Sequence, residues 1–358
     1  MTRRRFNAET RDELLKYALA FVAVIVIAAL LIVAQGEDPG VAIRALFQGA
    51  FGSTTAIGNA IRWSIPCIFT GLAASVAFKS GVLNLGIEGQ LYFGALVSAA
   101  LGYMVELPAP LHIALCLGAG ILSGVIYALL PALMKLLLKL DEMITTLMLN
   151  YIAVLLTEYI TIQLMGISAV ANPLSVETPY IHGSATLPLF IGGTKANIGV
   201  FIGIAVAIAI VLVYKYTVKG YELKQVGENI RFARVGGVRT NATFIAIFLI
   251  SGAIAGLCGS VEVMGSYKKF RAGFAGSIGW DGIMIARVAK NKPLTTVLVA
   301  FLWGIMKAGS LQMERMTNIN RLTVTLIQAI FVLFITVDYS QIYNAVKNGA
   351  VRLGKSKS

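Results

Sequence analysis

The stretch VKGYELKQVGENIRFARVGGVRTN, residues 218–241, separates two long apolar runs, and its reading decides how the rest of the chain folds. It is long enough for a helix and carries Lys219, Lys224, Arg231, Arg234 and Arg239 beside Glu222 and Glu228. Leu223, Val226, Ile230 and Ala233 recur at i, i+3, i+7 and i+10, giving one narrow apolar face, and Gly236 and Gly237 supply a stop. Lys224, Glu228, Arg231 and Arg234 take the other side, with Glu228 spaced to pair along the helix. Such a segment lies flat at a membrane surface and presents its charges to a protein partner or to anionic lipid. Most other connections are short or weakly charged, so this one stands out as a docking surface on the cytoplasmic side.

The flanking runs set the fold class. The chain of 358 residues is 57% hydrophobic and only 13% charged, with a mean hydropathy of +0.79, outside the range of soluble domains. Windows near the roughly 20 residues needed to cross about 30 Å of hydrocarbon recur at residues 17–34, 56–78, 90–107, 111–133, 143–165, 197–214, 242–265, 294–311 and 322–337. A tenth run, 278–289, is too short to span alone and is expected to be a broken or re-entrant helix beside a cavity, where irregular backbone is tolerated at depth. The expected architecture is all-α: a polytopic membrane helix bundle of about ten transmembrane or re-entrant helices. It forms a single domain over residues 17–338, with a cytoplasmic segment at 1–16, an external loop at 166–196 and a basic cytoplasmic tail at 339–358.

The net charge of +13 sits between apolar runs and has no interleaved aromatics, so it reports topology and excludes nucleic acid as a partner. Arg3, Arg4, Arg5, Arg11 and Lys16 precede the first run, and Lys347, Arg352, Lys355 and Lys357 fill the tail, which places both termini inside. Lys268, Lys269 and Arg271 fall outside in this scheme and strain it. A loose twin-arginine resemblance over residues 2–6 is a chance match, since Glu9, Asp12 and Glu13 intervene before the apolar run. Cys67, Cys116 and Cys258 read as small buried hydrophobes, and His112 and His182, far apart in sequence, as structural. Gly120 with Gly124, and Gly252 with Gly256, have the GxxxG spacing that permits close helix approach.

An ionisable group at the bilayer centre costs at least about 2.5 to 3.5 kcal/mol, so polar residues inside apolar runs need a partner or a water-filled cavity. Four places qualify: Asn84, Glu88 and Gln90; Asp141, Glu142 and Asn150 with Thr145 and Thr146; Trp280 and Asp281; and Lys307. Each has a structural alternative. Glu88 could fix helix packing, Asp141 and Glu142 suit a helix start, and Lys307 could snorkel to an interface. No HExxH, GxSxG or metal-spaced Cys/His cluster occurs in the sequence. GAVRLGKS at 349–356 matches the phosphate-loop pattern literally, yet only Lys357 and Ser358 follow, with no helix to aim N–H groups at a phosphate. The chain itself is therefore expected to bind no cofactor and to catalyse no reaction.

Five motifs in order then carry a resemblance spanning residues 56–309: GVLNLGIEGQ (81–90), DEMITTLMLNYIA (141–153), VGENIRFARVGGV (226–238), ISGAIAGLCGSVEVMG (250–265) and GWDGIMIARVAKNKPL (279–294). The chain resembles permease subunits of ATP-binding-cassette importers of the branched-chain amino acid, ribose and nucleoside group. MITTLMLNYIA and NLGIEGQ are most similar to the nucleoside branch. Arg287, Val288, Ala289 and Lys290 depart from the family's more apolar wording. The resemblance implies that Leu223, Val226, Gly227, Glu228, Asn229, Arg231, Arg234, Gly236 and Gly237 form a coupling helix seated in an ATP-binding subunit, which holds ATP and Mg. It further implies a second permease, identical or related, an extracytoplasmic substrate-binding protein, and residence in the bacterial inner membrane. For a nucleoside cargo, Tyr92 and Tyr151 would contact the base and Asn84 and Asn150 the ribose, with Glu88, Gln90 and Asp281 along the same path. The alternatives are a permease for ribose-type sugars or branched-chain amino acids, an ion-coupled transporter using Glu88 and Asp281, and a membrane receptor.

Overall fold

The computed structural model describes residues 26–163 and 176–336. The expectations for residues 1–25, for 164–175 of the external loop and for 337–358, including the phosphate-loop match, lie outside the described residues. Regular structure among the described residues is helical, with two isolated bridges, Glu177 to Arg271 and Leu189 to Asn197. In chain order the helices are α1 (Val26–Ala34), α2 (Pro39–Phe51), α3 (Thr54–Lys79), α4 (Ile87–Met104), α5 (Ala109–Leu138), α6 (Glu142–Gln163) and α7 (Gly199–Tyr216). There follow α8 (Val218–Glu228), α9 (Ile230–Val235), α10 (Thr240–Val261), α11 (Ile278–Val288), α12 (Pro293–Met316) and α13 (Arg321–Thr336). A π-helical turn, Glu262–Tyr267, extends α10.

The all-α membrane bundle is thus realised, and the described residues do not confirm a count of ten. Among the described residues six helices are long and apolar enough to cross a membrane, or seven if α1 and α2 count as one span. The sequence reading missed α2, which leaves α1 at 108°. The bend is local chemistry: Gly36 takes a left-handed φ of 78°, Pro39 begins the new helix, and Asp38 Oδ1 accepts the Gly40 N–H at 2.6 Å. Two compact units result. In the first, Ile32, Ala42, Ala45, Met313, Ile319 and Val324 make a small core, and Glu37 accepts hydrogen bonds from both the backbone and the amide of Asn318.

The second unit, residues 46–312, holds the rest. Here α3 is enclosed by protein along most of its length, whereas α5, α6 and α7 turn Leu122, Ile126, Ile152, Leu155 and Ile208 outward, the pattern expected of walls facing lipid. The two GxxxG pairs interlock between α5 and α10. A Cβ on Gly256 would overlap the carbonyl of Gly120 and lie 3.0 Å from the Gly124 Cα, and one on Gly252 would lie 2.6 Å from the Gly124 carbonyl oxygen. Backbones meet because no side chain stands between them. Gly256→Ala is accordingly expected to force α5 and α10 apart at a cost of about 1 to 3 kcal/mol, measured as a lowered unfolding midpoint in detergent; an unchanged midpoint would contradict this contact. The three cysteines are buried thiols within the bundle.

His112 and His182, read as unrelated, come together with ring centroids 6.4 Å apart. Each is nevertheless occupied in holding loop to helix: His112 bonds Ser184 Oγ at 2.8 Å, and His182 bonds the Tyr103 carbonyl at 2.9 Å. The same loop meets the strained segment after α10, where Glu177 pairs with Lys269 at 2.5 Å. That hydrogen bond raises the pKa of the Lys269 ammonium, while burial lowers that of Lys268.

Candidate functional site

The 218–241 stretch folds as two helices and not one. Thr217 Oγ1 caps α8 by accepting the Gly220 N–H at 3.0 Å. Asn229 then adopts an extended φ of −158° and caps α9, its Oδ1 accepting the N–H groups of Arg231 and Phe232 at 3.0 Å each. This break corrects the single apolar face expected from periodicity. Leu223, Val226 and Ala233 are buried, but the change of direction at Asn229 turns Ile230 outward, 49% exposed, beside Phe232 and Val235. Arg231 and Arg234 are exposed on the same short helix, and Gly237, with φ of 83°, ends it. Glu228 pairs with Lys224 at 3.8 Å. Beneath, α8 rests directly on backbone: a Cβ on Gly227 would overlap the Lys79 carbonyl and lie 2.8 Å from the Ser80 Cα. A cleft of about 420 Å³ opens beside α8, its walls including Lys219, Leu223, Arg239, Ala246 and Ile250.

From Ser80 the chain runs without helix to Gly86, inside the bundle. The non-helical backbone is satisfied by side chains, as it must be where water is absent. Leu85 N–H donates to Thr146 Oγ1 at 3.2 Å and Gly89 N–H to Asn150 Oδ1 at 2.8 Å, while Asn150 Nδ2 donates to the Leu85 carbonyl at 2.7 Å. Asn84 donates to Gln90 Oε1 at 3.1 Å and Ser251 Oγ at 2.9 Å, and accepts from Gly86 N–H at 2.9 Å and Gln90 Nε2 at 3.3 Å. An amide has two donors and one two-lone-pair acceptor, so Asn84 has no bond left for a solute in this conformation. Ser251 is about 16 Å along α10 from Thr240, counting 1.5 Å per residue, so the connector meets α10 near the middle of its 22 residues.

Of the other residues expected on a solute path, Tyr92 is enclosed, 2% exposed, edge-on to Phe274 at 5.2 Å and to Phe270 at 6.2 Å. Tyr151 lies apart on the outward face of α6, 68% exposed. Glu88 sits where α11 begins, its carboxyl against the backbone of Ser277 and Gly279 and near Asp281. The eleven residues of α11 span about 16 Å, roughly half of a hydrocarbon core, and Arg287 at its far end lies over the Phe78 ring at 4.7 Å. The short run is therefore a partial helix, as its length suggested, preceded by irregular backbone with Ser277 at a φ of 74°.

Two ion pairs cross the interior next to it. Asp281, buried, accepts from Trp303 Nε1 at 3.2 Å and pairs with Lys307, so Lys307 points inward and does not snorkel. Arg62 on α3 pairs with Glu262 in the π-helical turn at 2.9 Å, both buried. The Trp63 ring centroid lies 4.1 Å from the Arg62 guanidinium carbon and 5.5 Å from Lys307 Nζ, which places one aromatic ring beside both cations. Arg62 and Glu262 were overlooked in the sequence although each is a lone charge in an apolar run. Asp141 and Glu142 do open α6, with Asp141 Oδ1 accepting Met143 N–H at 2.9 Å and Glu142 paired to Lys135 at 2.5 Å.

Comparison with known proteins places the chain among transport permeases. A family model described as branched-chain amino acid transport system / permease component matches residues 56–335. The guanosine ABC transporter permease protein of Bacillus subtilis is 31% identical, over 92% of this chain and 94% of its own length. The glucose ABC transporter permease protein of Haloferax volcanii is 29% identical, over 88% of this chain and 85% of its own. The nucleoside ABC transporter permease protein of Lactococcus lactis subsp. cremoris is 28% identical over 93% of each. No solved structure matches the chain significantly. With the match covering most of the length and the helices to cross a membrane several times, this chain belongs to the branched-chain amino acid transport system / permease component family.

Proposed function

We propose that this permease forms the membrane path of an ATP-driven importer of nucleosides, with α8 and α9 facing the cytoplasm and receiving an ATP-binding subunit. The observation that carries the reading is α9: a six-residue helix on which the exposed apolar residues Ile230, Phe232 and Val235 are interspersed with the exposed arginines Arg231 and Arg234. Exposed apolar anchors set among charges suit a protein cleft better than a lipid surface, because lipid would favour one continuous apolar face along the whole segment. ATP and Mg reside in that subunit, and a second permease and an extracytoplasmic binding protein complete the importer.

Nucleoside specificity follows from the guanosine and nucleoside relatives and from the wording of the 81–90 and 141–153 motifs. Since Asn84 and Tyr92 are committed to the protein here, ring stacking falls to Trp280, 43% exposed at the start of α11. Asp281, neutralised by Lys307, is not a free carboxylate, so an ion-coupled mechanism draws less support from the structure. Reconstitution with the ATP-binding subunit and the binding protein, followed by uptake of guanosine, other nucleosides, glucose and leucine, tests the assignment. ATP-dependent nucleoside uptake is expected; glucose uptake without nucleoside uptake would overturn it.

A further inference from the structure

The docking helices pack against α3, α7 and α10, and at the α3 end the contact passes into a single run of backbone that leads to the start of α11. At the first contact no side chain intervenes. Gly227 of α8 lies against Lys79, Ser80 and Gly81, and Gly81, with φ of 76°, would place a Cβ 3.2 Å from the Gly227 Cα. At the last contact only a Cβ, which no rotamer moves, stands between the two backbones. A Cβ on Gly279 would lie 2.7 Å from the Glu88 Cβ and 3.0 Å from the Glu88 backbone nitrogen. Between them, residues 81–88 are held by Asn84, Gln90, Ser251, Thr146 and Asn150. Beyond Gly279, Asp281 joins α11 to Trp303 and Lys307 on α12.

We infer that residues 79–88 are the element that transmits movement of the docking helices to α11, and that Gly81 and Gly279 are the positioning residues at its two ends. The inference rests on the assignment of α8 and α9 as the ATPase contact. Backbone-to-backbone contact transmits displacement with little slack, since no rotamer can absorb it, whereas a long side chain at either end would yield first. Ser80, Gly81 and Val82 stay bonded to the last turn of α3, whereas Leu85, Gly86 and Gly89 donate to side chains, which can follow the connector or exchange partners as it moves. Gly279 is buried away from the docking face, so a change there leaves the ATPase contact in place, whereas Gly81 is exposed beside Gly227 and its variant is read together with binding of the ATP-binding subunit.

The test uses the complete reconstituted complex. Gly279→Ala and, separately, Gly81→Ala are compared with the unaltered protein for uptake, ATP hydrolysis and amide hydrogen exchange with and without ATP. In the unaltered complex ATP is expected to change protection at Leu85, Gly86 and Gly89 together with the first turn of α11. In Gly279→Ala, exchange at 85–89 should still respond while α11 does not, with ATP hydrolysis within about twofold and uptake per ATP reduced at least tenfold. If Gly81→Ala proves poorly folded, the exchange pattern of Gly279→Ala alone decides. Unchanged uptake per ATP, or α11 still responding in Gly279→Ala, overturns the inference while leaving the ATPase contact standing. An unaltered permease that never binds the ATP-binding subunit would remove the contact itself and the inference with it.

Discussion

Replacing Ile230 and Phe232 together by Asp is expected to abolish uptake and to release the ATP-binding subunit, while the permease still inserts and unfolds at its usual midpoint. Both side chains are exposed, at 49% and 64%, so their loss removes no internal packing. Large apolar anchors at the centre of an interface are each worth about 2 kcal/mol or more, and every 1.4 kcal/mol is about tenfold in affinity. Two of them, replaced by charges that a cleft would have to desolvate, weaken association by about a thousandfold. Co-purification and uptake in proteoliposomes provide the measurement. A variant that still holds its ATPase and transports at the normal rate would show that α9 is not the docking element, whatever its shape.

The second large effect concerns the interior. Glu262→Ala leaves the Arg62 guanidinium buried without its carboxylate, and removing one partner of a buried pair costs about 3 to 5 kcal/mol. That is a substantial share of the roughly 5 to 15 kcal/mol that holds a typical domain together. Arg62→Ala should be as costly, because it strands Glu262. The double change Arg62→Met with Glu262→Leu should recover most of the loss, since desolvation of both charges disappears along with their attraction. Unfolding midpoints in detergent of the unaltered protein, Arg62→Met, Glu262→Leu and the double variant form the cycle. If the single and double variants lose stability additively, the two charges do not act as a pair and the interior network is wrongly drawn.

The docking stretch and the short run at 278–289 could both be read from one sequence because each is a local departure from apolar composition. Hydropathy also located the walls: with no water to satisfy backbone in hydrocarbon, a run of about 20 apolar residues has little alternative to a helix. The GxxxG spacings were legible as places of close approach, though not that they meet each other. The α2 helix was missed because its 13 residues are too few for a span and its entry depends on a turn at Gly36. Periodicity misjudged Ile230 because it assumes a continuous helix, and Asn229 interrupts that helix with a cap whose competing hydrogen bonds no hydrophobic pattern records.

Composition and local pattern thus determined by themselves that this chain crosses a membrane repeatedly and carries one basic surface segment, because the solvent penalty for exposed backbone acts on each segment separately. Which polar groups face which was decided only by the tertiary structure. Arg62 and Glu262 are 200 residues apart, and Asn84 and Ser251 are 167 apart. A buried charge or amide requires some partner, but the helices that pack around it select that partner, so Asn84 became a brace for the connector and was lost as a candidate ligand.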